Sequence, residues 1–208
     1  MHLLSLAICV IRHPFDTYRA LQASRDRFRY YPALILILII IAVRIMSMFI
    51  THYPFAGTAR EDINVVMEAM RFVIPIITWA FALFAVTSIL DGETNIGEAV
   101  TSTVYCLVPY AVLSVPIALL SSLISLTDSV IYDSMIRGVV LWCGFLFFLS
   151  VKVMNNYTVK KTILVVLLTL FGMALIWSIA LIIFALASQF MLFLSGVYKE
   201  ARYAIFGY

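Results

Sequence analysis

Charge is scarce in this chain. Of 208 residues, 14 are lysine or arginine and 11 are aspartate or glutamate, 12% in all, where a soluble domain carries about 25%. So little polar surface excludes an ordinary water-soluble globule. Catalytic signatures are missing too: there is no H-E-x-x-H, no G-x-S-x-G and no glycine-rich phosphate loop. The paired acids Glu61 and Asp62 fall in an exposed loop and read as a solvated face. The three cysteines, Cys9, Cys106 and Cys143, lack the spacing of a disulfide framework or metal site. His2, His13 and His52 are scattered, without the spacing zinc needs. No catalytic residue, metal or cofactor is therefore expected. A net charge of +3 is too slight to argue for nucleic acid.

Apolar length is what the chain has. Hydrophobic residues make up 64% of it, and five nearly charge-free runs cover most of it: Pro32–Ile50, Phe72–Leu90, Val104–Leu126, Val139–Val153 and Thr162–Val197. They are continuous rather than alternating, which selects helices over barrel strands. A lipid-exposed backbone must satisfy its hydrogen bonds internally, and about 20 apolar residues cross the hydrocarbon core. The fold class is thus all-α: a polytopic, five-helix membrane bundle. Three segments follow: a cytoplasmic N-terminal segment over 1–31, the five-span domain over 32–198 and a short tail over 199–208. These residues leave no room for a soluble domain of about 50 residues, so a soluble active site would belong to a partner.

The run Leu3–Ile11 has no basic residue before it and no cleavage site after it, unlike a signal peptide. It is too short to span. With Arg12 and Arg19 following, it fits a helix in the bilayer interface, or one packed on the bundle.

Basic residues favour the cytoplasmic side. With the N-terminus inside and the C-terminus outside, eight basic residues lie inside, among them Arg12, Arg19, Lys152, Lys160 and Lys161, and five outside. Arg44 falls within a span. The second loop dissents, being cytoplasmic in this arrangement yet acidic at Asp91, Glu93 and Glu98.

Two spans have unusual lengths. The fourth has 14 charge-free residues, Gly138–Val151, about 21 Å of helix. The fifth, charge-free from Thr162 to Tyr198, would reach about 55 Å as one helix. It must tilt, bend or project, with Gly172 and Ser188–Gln189 as weak points; a hairpin of two half-spans is the alternative.

Arg44 is an intramembrane charge, which is a functional-site signal unless it snorkels or pairs structurally; Asp128 and Asp133 are candidate partners. Pro75, Pro109 and Pro116 punctuate spans two and three and favour kinks, with the third helix the more irregular. Small residues recur at Ser114, Ala118 and Ser122, and at Gly172 and Ala180, marking faces suited to close helix packing. Tyr30, Tyr31, Tyr53, Tyr198 and Tyr203 near span ends read as an interfacial belt. Asn156-Tyr157-Thr158 is a glycosylation sequon by pattern, in a loop placed inside, where it would go unused.

The stretch Asp91–Pro116 reads DGETNIGEAVTSTVYCLVPYAVLSVP. It resembles the Yip1-domain family in a Gly, a large apolar residue and a Glu ahead of a Tyr-x-x-x-Pro element, here Gly92, Ile96, Glu98, Tyr105 and Pro109. Arg12-His13-Pro14-Phe15-Asp16-x-Tyr18 looks like the pre-span segment of its bacterial branch. The resemblance implies five spans, a cytoplasmic N-terminus and no enzymatic chemistry. It implies action through other integral membrane proteins: Rab-type GTPase systems in eukaryotes, and in bacteria often an ABC-type transporter, whose permease is the candidate partner. A non-enzymatic accessory subunit in the inner membrane is the function expected. The alternatives are a small channel or transporter built around Arg44 and the proline-broken third helix, or a membrane-shaping scaffold.

Overall fold

The computed structural model describes residues 9–23, 30–51, 64–121 and 129–206. The described residues include the helices α1 (Pro14–Ala23), α2 (Tyr30–Ile50), α3 (Val65–Ile89), α4 (Ile96–Cys106), α5 (Val108–Leu120), α6 (Ser129–Met154) and α7 (Val159–Phe206). No strand occurs among the described residues. Among the described residues, five helical stretches are long and apolar enough to cross a membrane, with α4 and α5 together making the third.

Local sequence sets the ends. Pro14 opens α1, where a missing N–H costs nothing. Asn64 caps α3, its Oδ1 accepting from the Val66 and Met67 amides at 3.1 Å each. The third span breaks at Leu107, in the turn before Pro109. A proline cannot donate to the carbonyl four residues back and its ring crowds that carbonyl, so the helix stops at Cys106 and restarts with Pro109 in its first turn. This is the irregularity expected of span three. Pro75, by contrast, sits inside an unbroken α3.

Several boundaries differ from expectation. The third span begins at Ile96, not Val104, and ends within the described residues at Leu120. The fourth is not short: α6 runs 26 residues, because Asp133 and Arg137 are carried on the helix rather than in a loop. The fifth is one helix of 48 residues, about 72 Å long. It passes through Gly172 and Ser188–Gln189 without interruption, so the hairpin is ruled out.

α6 lies at the centre, packed by α1, α4, α5 and α7, while α2 lies on α4 and α5, and α3 on α4 and α7. The main core joins Ile40 of α2, Val104 and Cys106 of α4, and Leu146 and Met154 of α6. Val10, Tyr18 and Leu21 from the N-terminal segment belong to the same core. That segment is therefore docked on the bundle. Most of the expected interfacial helix over Leu3–Ile11 lies outside the described residues; within it, Val10 is fully buried.

Candidate functional site

One end of the bundle is built from two matched helix caps. At the end of α3, Asp91 takes a left-handed conformation (φ 52°) and the Gly92 amide donates to the Thr87 carbonyl at 2.7 Å. At the end of α6, Asn156 does the same (φ 53°), and the Tyr157 amide donates to the Lys152 carbonyl at 3.0 Å. Both are Schellman geometries, which satisfy carbonyls a helix end leaves free. Asp and Asn tolerate the left-handed region better than most residues.

The two caps are tied together. The buried Asn155 Oδ1 accepts from the Thr94 amide (3.2 Å) and the Thr94 hydroxyl (2.7 Å). The Tyr157 hydroxyl donates to the Leu90 carbonyl at 3.1 Å. The Asn156 amide group donates to Glu93 Oε2 at 3.3 Å. Burial, with Asp91 and Glu93 nearby, raises the Tyr157 pKa, so the phenol keeps its donor proton at neutral pH. Lys161 lies 4.4 Å from the centre of the Tyr157 ring. Gly92 is needed here for space, not for backbone freedom. A Cβ at Gly92 would sit 2.6 Å from Tyr157 Oη, 2.7 Å from Asn155 Oδ1 and 2.7 Å from Thr87 Cβ.

The motif residues continue from this junction. Ile96 is the first residue of α4. Glu98 is buried in its first turn and accepts from the Asn95 amide at 3.2 Å, the return half of a capping box. Glu98 is therefore not a loop acid, and the second loop loses one of the three charges that set it against the cytoplasmic side. Tyr105 is buried, and Pro109 restarts the span at α5. One helical turn inward from the junction, Phe15 of α1 lies under two cations, Arg19 (4.7 Å) and Lys152 (5.8 Å). Tyr18 reaches into the bundle, where its hydroxyl hydrogen-bonds the Cys106 thiol at 3.0 Å. The N-terminal basic segment and both loops thus share one end of the molecule.

Arg44 belongs to a separate cluster near the other end. Its partner is Glu68 of α3 at 3.9 Å, and Glu68 also accepts from Arg71 at 2.8 Å. Glu68 takes the place expected of Asp133, while Asp128 lies outside the described residues. Two guanidiniums share one carboxylate, leaving the cluster net positive.

The packing stripes divide. Ser114 and Ala118 are buried on α5; Ser122 lies outside the described residues. A methyl group at Gly172 would meet Ala82 of α3 at 3.6 Å, ordinary contact for two closely packed helices. Ala180 is exposed. Of the belt tyrosines, Tyr198 is exposed, and the side chains of Tyr30, Tyr31, Tyr53 and Tyr203 lie outside the described residues. No group of three His, Cys, Asp or Glu side chains able to hold a metal occurs among the described residues.

Sequence reasoning missed Asn155, Thr94, Tyr157 and Glu68. Asn155-Asn156 between two apolar runs was a usable turn signal, but it names no distant partner. Asn155→Ala leaves the Thr94 amide and hydroxyl without their acceptor, and should cost about 1–3 kcal/mol. Thermal unfolding in mild detergent checks this; an unchanged midpoint would show that the tie contributes nothing.

The Yip1 domain family model matches residues 8–193 of the chain. No curated protein and no solved structure matches it.

Proposed function

Because the chain belongs to the Yip1 domain family, we propose that it is a non-enzymatic, multi-pass accessory subunit that binds another integral membrane protein. Its N-terminus is cytoplasmic, its C-terminus is outside, and it sits in the inner membrane of a bacterium. The partner is the permease of an ABC-type transporter.

A single observation carries the docking role. From Ala174 to Arg202 every residue of α7 is exposed. These include Ile182, Phe184, Phe190, Leu192 and Phe193, distributed all round the helix. Trp177 still touches the bundle, donating to Thr78 of α3 at 3.3 Å. Since α7 runs antiparallel to α3, the start of α3 at Val65 comes level with about Phe190. Residues 191–206 then extend beyond the neighbouring span by about 24 Å. The part level with α3 faces lipid at no cost, but the extension carries Leu192, Phe193, Leu194 and Val197 past the span. A large apolar surface of this kind marks an interaction site.

The test is extraction of the natively expressed protein in mild detergent, followed by mass spectrometry of what copurifies. Recovery of a transporter permease in stoichiometric amount is expected. A protein that runs alone under these conditions is not an accessory subunit.

A further inference from the structure

Between α3, the α4–α5 break, α6 and α7 lies an apolar groove of about 540 Å³, within the range of about 300–1,000 Å³ typical of small-molecule sites. Its walls include Phe72, Trp79, Leu107, Gly144 and Met173, and Arg71 stands at its edge. Gly144 opens it: a Cβ there meets nothing within 4 Å. Arg71 lies in the second turn of α3, toward the end of the span, and its side chain is 70% exposed. Helical side chains lean toward the N-terminus, here toward the membrane surface. The carboxylate beside it is already shared with Arg44.

We propose that this groove holds one acyl chain of an anionic phospholipid, whose phosphate rests on Arg71, in the leaflet at the Val65 end of the bundle. An apolar slot open along its length suits a hydrocarbon chain. The cluster of Arg44, Glu68 and Arg71 is net positive and gives the site its preference for a negative headgroup. A zwitterionic lipid fills the slot equally well but gains little from that charge. Occupancy needs no partner protein, so it stands apart from the docking role of α7.

Trp79, in the groove wall, provides the readout. Trp142 and Trp177 are both exposed and are replaced by phenylalanine. The full-length single-tryptophan protein is placed in nanodiscs of phosphatidylcholine containing either phosphatidylglycerol or phosphatidylcholine with brominated acyl chains. Bromine quenches indole fluorescence on contact. Brominated phosphatidylglycerol should quench Trp79 at about fivefold lower mole fraction, the preference expected from one cationic side chain near anionic lipid. Arg71→Gln should bring the ratio to about one while quenching persists, and Arg71→Lys should restore the preference. Gly144→Leu should fill the slot and weaken quenching by both lipids. Equal quenching by the two lipids in the parent protein reduces the groove to ordinary annular contact and overturns the proposal. So does a preference that survives Arg71→Gln, or a Trp79 that no brominated lipid quenches.

Discussion

Gly92→Ala is expected to destabilise the bundle strongly. Its Cβ would enter a space bounded at 2.6–2.7 Å by Tyr157, Asn155 and Thr87, closer than van der Waals contact allows. Two of these neighbours belong to the α6–α7 connection, and both are already held by hydrogen bonds to the α3–α4 loop. Relief therefore requires the loops to separate, which breaks the bonds from Thr94 to Asn155 and from Tyr157 to Leu90. Overpacking alone costs about 1–3 kcal/mol, and an unpaired buried donor adds about 1–3 more. A marked fall in the thermal midpoint in detergent, with new proteolytic cutting in the two loops, is the expected result. Gly144→Ala is the matched control, since its methyl meets open space. Equal stability of the two variants would mean that the junction is loose and the close approach unimportant.

The second large effect concerns binding and leaves folding intact. Phe193→Glu combined with Val197→Glu places two charges on the part of α7 that extends beyond α3. Both positions are exposed, so the unfolding midpoint should stay where it was. Copurification of the membrane partner should fall by more than about 30-fold, the effect of losing one aromatic hot spot of about 2 kcal/mol. An unchanged yield of partner would remove the projecting helix from the interface. A lowered midpoint would show instead that α7 folds back on the bundle.

These variants fall on opposite sides of what could be read from residue order. The five spans were legible because lipid imposes a simple rule: long apolar segments must be helical to satisfy their own backbone. The ends of the spans were less so. The helix α4 starts eight residues before the apolar run because Glu98 is satisfied by the Asn95 cap; hydropathy counts that carboxylate as a loop charge. Asp133 and Arg137 hid the first turns of α6 in the same way. A charge ends an apolar run in sequence but does not end a helix, whose hydrogen bonds lie in the backbone.

The motif positions were found from resemblance alone, and their reasons came from contacts. Nothing local distinguishes Gly92 from a flexible loop glycine. Its requirement arises from Asn155 and Tyr157, more than 60 residues away, pressed against it by two caps that end at the same level. The partner of Arg44 was equally hidden: Asp128 and Asp133 were the candidates, while packing of α2 beside α3 brings Glu68 there instead. Sequence by itself determined the membrane class, the count of spans and the excess length of the last. Only the tertiary structure decided which loops meet, which charges pair and where α7 leaves the bundle. Hydrophobic length acts along the chain and can be summed residue by residue, whereas a hydrogen bond or a steric contact depends on two segments arriving at the same place.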